Sequence, residues 1–277
     1  MKAALLQLNC GDNPQKNIAV TQELIKQASL SGAGLIVTPE VTNCVSMDRA
    51  RQKEVLASEQ DDETLKALQA QAKALQVWLL IGSLALKTDD PDGRFANRSF
   101  LIDPFGEVVA RYDKIHMFDV AVSEHETYRE SAGYRPGEAA VIADLPFANI
   151  GMTICYDLRF PSLYRTLAQA GAEVITIPSA FSPVTGAAHW ETLLRARAIE
   201  TGCYVLAPAQ TGVHAGDSGR ARTTYGHTMA VSPWGAVLAD AGDEPGLVFV
   251  DIDRQTVIQA RSRIPSLNSE RDFAKPR

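Results

Sequence analysis

Short apolar runs alternate with helix-like segments along the first half of the chain. The run at residues 3–8 predicts a buried strand. Asn13 and Pro14 then predict a helix start, because Asn caps a first turn well and Pro fits its first position. A second amphipathic helix is predicted over residues 61–76, where leucines and alanines recur at helical spacing. Further buried strands are predicted at residues 35–40, 77–83, 98–103 and 108–112.

The connections between these strands predict a mixed sheet. Strand, helix and strand follow one another at first, but the turns at residues 89–93 and 104–106 join neighbouring strands directly. The pattern therefore indicates an α/β sandwich. We find no Ser-, Pro- or Gly-rich linker that would mark a domain boundary.

The second half repeats the strand and helix pattern. An apolar strand from Ile150 ends at Cys155, and Pro161 begins a helix predicted to reach residue 170. A strand at residues 174–178, a loop at 179–190 and a helix at 190–201 follow. Residues 118–137 show no periodicity, so we expect a long loop there, and loops of that length are usually functional or disordered.

Composition removes several classes of function. The 277 residues are 45% hydrophobic and 22% charged, which is ordinary for a globular protein. A net charge of −6 argues against a nucleic-acid or anionic-membrane partner. No apolar run reaches the roughly 20 residues of a membrane span, and the first residues are too polar for a signal peptide.

The four cysteines lie far apart and form no CxxC pair. This spacing favours neither a disulfide framework nor a zinc site, so we expect a cytoplasmic protein with no metal or other cofactor.

Three residues at predicted strand ends are candidates for chemistry. Cys155 lies between a strand and a helix, where a helix N-terminus would favour the thiolate, although a free cysteine is as often a buried core residue. Glu40 and Lys114 follow two other strands. Taken singly they are more often surface charges, but together the three supply a base, a cation and a nucleophile.

The segments around these residues resemble the signature blocks of the nitrilase superfamily, the carbon–nitrogen hydrolases. The blocks are PE at 39–40, YDKIHMFD at 112–119 and GMTICYDLRFPSLYR at 151–165. The resemblance extends over nearly the whole chain. It implies a four-layer αββα sandwich of two mixed sheets, with one domain over residues 1–267 and a C-terminal tail over 268–277.

The resemblance also implies a role for each candidate. Cys155 would attack an amide carbonyl and form a thioester, and Glu40 would be the general base and acid. Lys114 and the backbone N–H of Tyr156 would stabilise the oxyanion. Glu130 matches a second glutamate near the lysine. We expect burial and Glu130 to raise the pKa of Glu40, with Lys114 offsetting them.

The last third resembles the Nit branch of small omega-type amidases. The similar segments include Ser179–Phe181, Thr185–Gly186, residues 188–191 and residues 225–227, so Thr185 is a further substrate-site candidate. The run at 209–214 resembles deaminated glutathione amidases most, whereas the charged insert at 215–222 departs from them. We therefore expect a small carboxylate-bearing amide, deaminated glutathione first, to be hydrolysed to an acid and ammonia.

The far end of such a substrate needs a cation. Arg159 is our first candidate, since residues four apart share a helix face with Cys155, although an ion pair with a neighbouring carboxylate is equally consistent. Arg129 and Arg195 are the others.

Other functions stay open at this point. These are an omega-amidase acting on 2-oxoglutaramate or succinamate, a nitrilase, a cysteine hydrolase with His116 or His227 as base, and a non-catalytic binding module. The resemblance also predicts a homodimer or a dimer of dimers, in which residues 254–275 could reach a partner through Ile264, Leu267 and Phe273.

Overall fold

A computed structural model describes residues 1–123, 126–214, 216, 221–269 and 271–274. Its helices are α1 Pro14–Leu30, α2 Arg49–Val55, α3 Glu63–Leu75, α4 Pro161–Gln169, α5 Pro183–Thr201 and α6 Arg254–Arg263. Short 3-10 helices cover Glu130–Ala132, Cys155–Arg159 and Ser266–Asn268. The strands are β1 Lys2–Gln7, β2 Leu35–Val37, β3 Trp78–Leu86, β4 Ala96–Ile102, β5 Val108–Asp113, β6 Asp119–Ser123, β7 Glu126–Arg129, β8 Val141–Leu145, β9 Ala148–Met152, β10 Val174–Thr176, β11 Tyr204–Ala207, β12 Thr211–His214, β13 Arg222–Tyr225, β14 Met229–Val231, β15 Val237–Asp240 and β16 Gly246–Asp251.

Two six-stranded sheets share one pattern of strand directions. The first has the order β16-β1-β2-β3-β4-β5 and the second β15-β14-β11-β10-β9-β8. In the first, β1, β2 and β3 are parallel and the flanking strands are antiparallel. In the second, β9, β10 and β11 are the parallel set, with antiparallel strands on both sides. The predicted mixed sheets are confirmed.

The four layers follow from alternation along the strands, because successive side chains of a strand point to opposite faces. In β1, Ala3 and Leu5 pack in the core shared with the second sheet, whereas Ala4 and Leu6 pack in the cluster that contains α1 and α3. Helices α4 and α5 contribute to the core on the other side. The predicted αββα sandwich is confirmed. Among the described helices, none is long and apolar enough to cross a membrane.

Two sequence-based expectations about connections were wrong. The stretch 118–137 contains the antiparallel hairpin β6–β7 followed by the 3-10 helix Glu130–Ala132, although residues 124–125 lie outside the described part. Helix α5 begins at Pro183, seven residues before the predicted start. Pro183 lies in the first turn of this helix, where Pro fits well. The Tyr225 ring packs so close to Gly186 that a Cβ atom on residue 186 would lie only 2.2 Å from it.

Candidate active site

Glu40 lies three residues beyond the end of β2 and is 4% exposed. Its Oε1 accepts hydrogen bonds from Lys114 Nζ and Asn97 Nδ2, both at 2.9 Å. Its Oε2 accepts from the backbone N–H of Ala180 at 2.8 Å, just beyond β10 in the other sheet. The carboxylate therefore bridges the two sheets at the ends of their central strands.

Lys114 follows β5 directly and is 2% exposed. Its Nζ contacts Glu40 Oε1 at 2.9 Å and both carboxylate oxygens of Glu130, at 3.0 and 2.9 Å. Glu130 also accepts from the backbone N–H of Phe118 at 2.6 Å, which fixes the hairpin segment to the site. The structure thus brings Glu130 to the predicted position beside the lysine. Because a buried charge is stable only when paired, the two carboxylates are what keep this lysine charged.

Cys155 lies at the start of the five-residue 3-10 helix after β9 and is 6% exposed. Its backbone has a φ of 48°, in the left-handed region that residues with a Cβ rarely adopt. Its backbone N–H donates to the carbonyl of Pro178 at 3.0 Å, and its thiol lies close enough to Glu40 for each group to shift the pKa of the other. Nucleophile, carboxylate and lysine are therefore in one cluster.

The buried carboxylate of Asp157 fixes the turn that carries Cys155. It accepts from the backbone N–H of Ile154 at 2.9 Å and from the hydroxyl of Tyr112 at 2.6 Å. It also accepts from the backbone N–H of His116 at 3.0 Å and contacts His116 Nδ1 at 2.7 Å. Tyr112 and His116 flank Lys114 along the chain, so one carboxylate ties the cysteine turn to the lysine segment.

The electrostatics differ from the sequence-based expectations at two residues. Burial and the Glu40 charge raise the pKa of Cys155 to about 12, against the opposing effect of Lys114. The sequence predicted that a helix N-terminus would lower the thiol pKa, but Cys155 begins only a five-residue 3-10 helix, and its side chain is a thiol at neutral pH. The pKa of Glu40 is lowered, not raised, because Lys114, Arg222 and hydrogen bonds outweigh its burial. The pKa of Lys114 is raised well above its usual value by Glu130 and Glu40, although burial acts in the opposite direction.

A cavity of about 270 Å³ opens onto this cluster and is lined by Glu40, Lys114, Glu130 and Cys155. Three arginines, Arg49, Arg129 and Arg222, also line it. Within the described part of the chain, no carboxylate lies within ion-pair distance of any of the three. Asp119 is close enough to feel the charge of Arg129, and Glu40 that of Arg222, but none of the three guanidinium groups is held by a described carboxylate in an ion pair that an anionic ligand would have to displace.

The structure does not bring Arg159, Arg195 or Thr185 to this cavity. Arg159 lies at the far end of a 3-10 helix, which has three residues per turn, so the expected shared face with Cys155 does not exist. Its Nη1 contacts His189 Nδ1 at 3.2 Å and its guanidinium lies over the Phe181 ring. It is therefore not in the expected ion pair either.

Arg195 pairs with Glu191 and donates to the carbonyl of Gly235. Thr185 lies in the first turn of α5, where its hydroxyl approaches the carbonyl of Ser182 at 3.5 Å. Neither residue lines the cavity at Cys155.

The two candidate histidine bases are engaged elsewhere. His116 stacks on Phe160 with 3.6 Å between ring centroids. His227 Nδ1 contacts the Asp240 carboxylate at 3.0 Å. Among the described residues, no histidine lines the cavity at Cys155, which leaves Glu40 as the base in contact with the thiol.

Sequence reasoning missed three contributors. Asn97 was visible as a polar residue inside an apolar strand, and its buried Oδ1 has no hydrogen-bond partner in the described part of the chain. Ala180 contributes only a backbone N–H, which residue type does not reveal. Arg222 is the last residue of the charged insert 215–222, which departs from the family pattern. Its Nη2 donates to the carbonyl of Ala180 at 2.7 Å. Within the described residues, no cluster of His, Cys, Asp and Glu could hold a metal ion.

A profile of the carbon–nitrogen hydrolase family matches residues 2–262. The chain belongs to the carbon–nitrogen hydrolases. It is a hydrolase that acts on amides. Proteins of the Nit branch are among its structural neighbours.

Three comparisons give the degree of similarity. Deaminated glutathione amidase of Yersinia enterocolitica is 43% identical over 270 residues, 97% of this chain and 92% of that protein. The Caenorhabditis elegans NitFhit structure superimposes with a TM-score of 0.90 at 34% identity. It matches 98% of this chain, which spans 65% of the nematode chain. An amidase variant from Nesterenkonia sp. AN1, with acrylamide added to its active-site cysteine, has a TM-score of 0.77 at 25% identity and covers 96% of this chain and 98% of its own.

Proposed function

We propose that the protein is an amidase that hydrolyses deaminated glutathione through a thioester on Cys155. The observation that carries this proposal is the cluster of Cys155, Glu40 and Lys114 at one end of a cavity lined by three arginines. The similarity to the Yersinia enzyme of that name supports the substrate. Four buried free cysteines are consistent with a reducing, cytoplasmic setting.

Acylation begins from a neutral thiol. Cys155 attacks the amide carbonyl carbon while its proton passes to the neighbouring Glu40, so no free thiolate accumulates. Lys114 and the backbone N–H of Tyr156 stabilise the oxyanion. Among the described residues, none accepts a hydrogen bond from that N–H. Losing one such donor typically costs about 3 kcal/mol of barrier.

Collapse of the tetrahedral intermediate breaks the carbon–nitrogen bond, and Glu40 gives its proton to the departing amine. A water molecule then attacks the thioester. Glu40 takes a proton from that water and returns one to the sulfur, which regenerates the thiol and releases the acid. Glu130 holds Lys114 in place throughout.

The identity of the amine depends on the substrate. Primary amides such as 2-oxoglutaramate release ammonia. The sequence-based expectation of ammonia from deaminated glutathione does not hold, because its scissile amide is secondary. Deaminated glutathione carries its scissile bond between a 2-oxoglutaryl group and a cysteinylglycine dipeptide, so the released amine is that dipeptide. This substrate has a carboxylate at each end, and the three lining arginines complement two negative charges.

A substrate panel tests the proposal. The purified protein is incubated with deaminated glutathione, 2-oxoglutaramate, succinamate and simple nitriles, and 2-oxo acid, cysteinylglycine and ammonia are measured. We expect the highest kcat/KM for deaminated glutathione. A higher value for a primary amide would identify an omega-amidase, and turnover confined to nitriles would identify a nitrilase.

The cysteine variants complete this test. Cys155→Ala should abolish turnover and leave the fold intact. Cys10→Ala is a matched control, because Cys10 is also a buried thiol whose pKa is raised to about 12, but it does not line the cavity. It should retain activity. Turnover by well-folded Cys155→Ala would exclude the thioester mechanism.

A further inference from the structure

A second cavity of about 210 Å³ adjoins the one at Cys155. The two share lining residues, namely Met47, Thr127, Tyr128 and Arg222. The second is completed by Val184 and Pro183 in the first turn of α5 and by Ala221 and Thr223 around the start of β13. Of the reacting groups, Cys155, Glu40, Lys114 and Glu130 line only the first cavity.

We propose that this second cavity, the α5 cavity, binds the amine half of an extended secondary amide and is the leaving-group subsite. The inference rests on the proposed amidase function. It assigns the acyl half and the scissile carbonyl to the cavity at Cys155, and the amine half to the α5 cavity.

The size of the cavities supports this division. The cavity at Cys155 has about 270 Å³, slightly below the range of roughly 300–1,000 Å³ typical for drug-sized ligands. It suits a short acyl chain better than a whole tripeptide analogue. The α5 cavity has a further 210 Å³ or so and lies next to the reacting cysteine's cavity, with which it shares four lining residues.

The chemistry of the shared wall also fits an amine half that carries a carboxylate. Arg222 lines both cavities and holds the Ala180 carbonyl with one nitrogen, while a guanidinium has five N–H donors. The remaining donors can bind a carboxylate in either cavity. Met47 and Val184 give the α5 cavity an apolar side, and thioethers and aliphatic side chains accept a thiol-bearing side chain readily.

Two substrates with the same acyl half isolate the amine half. Deaminated glutathione and 2-oxoglutaramate form the same thioester on Cys155, so their deacylation is identical and kcat/KM reports the steps up to acylation. A substitution that fills only the α5 cavity should therefore lower kcat/KM for deaminated glutathione and leave kcat/KM for 2-oxoglutaramate nearly unchanged.

The test variant is Val184→Trp, with Val20→Trp as control. Both valines lie on helices and are 57% exposed, but Val20 is on α1 and lines neither cavity. We expect Val184→Trp to lower kcat/KM for deaminated glutathione by about tenfold or more and to change that for 2-oxoglutaramate by less than about twofold. Val20→Trp should change neither.

Product inhibition gives a second readout. Free cysteinylglycine should inhibit the wild-type protein, and Val184→Trp should raise its inhibition constant by a similar factor. Equal losses for both substrates, or an unchanged kcat/KM for deaminated glutathione together with an unchanged inhibition constant, would overturn the subsite. Failure of the wild-type protein to hydrolyse deaminated glutathione would instead overturn the proposed function on which the subsite rests.

Discussion

At the scale of single residues, the site depends on two buried charges that compensate each other. Glu40 contacts a thiol whose pKa is about 12, yet its own pKa is lowered by Lys114 and Arg222. A low carboxyl pKa keeps Glu40 ionised and ready to accept the thiol proton at neutral pH. Its weakness as a base has to be offset by stabilisation of the oxyanion, which is the role proposed for Lys114.

The first residue-scale prediction concerns the pH profile. Arg222→Gln removes a positive charge that lowers the pKa of Glu40, so that pKa should rise. Activity requires ionised Glu40 and is lost as the pH falls through its pKa. The acid limb of the profile of kcat/KM against pH should therefore move to higher pH. Arg222→Lys keeps the charge and should restore the limb.

Arg129→Gln is the matched control for that shift. Arg129 also lines the cavity, but unlike Arg222 it is not among the groups with the largest effects on the pKa of Glu40. Its loss should raise KM and leave the acid limb unmoved. If both variants shift the limb equally, the effect comes from the total charge of the cavity and not from Arg222.

The second prediction separates the two glutamates. Glu40→Gln and Lys114→Ala should each lower kcat by orders of magnitude, because the first removes the proton acceptor and the second the oxyanion cation. Glu130→Gln should cost less, since Glu130 contacts Lys114 and not the thiol. Single-turnover acylation rates would measure this, and full activity of Glu130→Gln would contradict a positioning role.

At the scale of elements, the most informative segment is the turn after β9. Cys155 adopts a left-handed backbone conformation, which persists only where the surroundings fix it. Asp157 supplies that restraint through Ile154, Tyr112 and His116. The turn is therefore specified from the other sheet, by residues more than 35 positions away in sequence.

The third prediction follows from this restraint. Asp157→Ala leaves the Tyr112 hydroxyl and the Ile154 N–H without the carboxylate that they contact, and each buried unsatisfied group costs about 1–3 kcal/mol. We expect a loss of about 3 kcal/mol in the free energy of unfolding, measured with urea. Asp157→Asn should lose less, because the amide oxygen still accepts. Equal stability of wild type and Asp157→Ala would mean that the turn does not need the Asp157 carboxylate to keep its conformation.

The elements also show what a sequence pattern reveals. Continuous apolar runs predicted β1 and β9, which are buried along nearly their whole length, and helix-start residues or helical spacing predicted α1, α3 and α4. The start of α5 was missed since Pro183 and Gly186 resemble loop residues, although Pro fits a first turn and Gly186 makes room for Tyr225. The hairpin β6–β7 was missed because its short strands lack a continuous apolar face.

At the scale of the whole molecule, the site exists because two sheets present strand ends at the same place. Glu40 follows β2, Lys114 follows β5 and Cys155 follows β9, so segments 115 residues apart come into contact. Residue type at strand ends made these three predictable. Of the three arginines, Arg129 was among the sequence-based candidates for the substrate's cation and does line the cavity. Arg49 and Arg222 were not, because they reach the cavity from α2 and from a strand outside both six-stranded sheets, and nothing in their local pattern marks that direction.

The last prediction concerns assembly. Of the three residues proposed to anchor the C-terminal segment on a partner, Leu267 packs in the core of its own chain, whereas Ile264 and Phe273 are exposed. Trp234 is 55% exposed and is covered on one side by Arg263. Ile199 contacts the neighbouring turn at Gly235, so Ile199, Trp234 and the Arg263–Ile264 end of α6 lie close together, and we infer that a partner buries this apolar surface.

We therefore expect a homodimer or a dimer of dimers. Light scattering should give about 60 kDa or a multiple of it, twice the chain mass of 30.0 kDa. Trp234→Glu should shift the mass towards that of the single chain, because a charge in a desolvated interface is costly. Phe105→Glu is the control, since Phe105 is 72% exposed at the β4–β5 turn, away from that surface. A wild-type mass near 30 kDa at micromolar concentration would show that this apolar surface stays in contact with solvent.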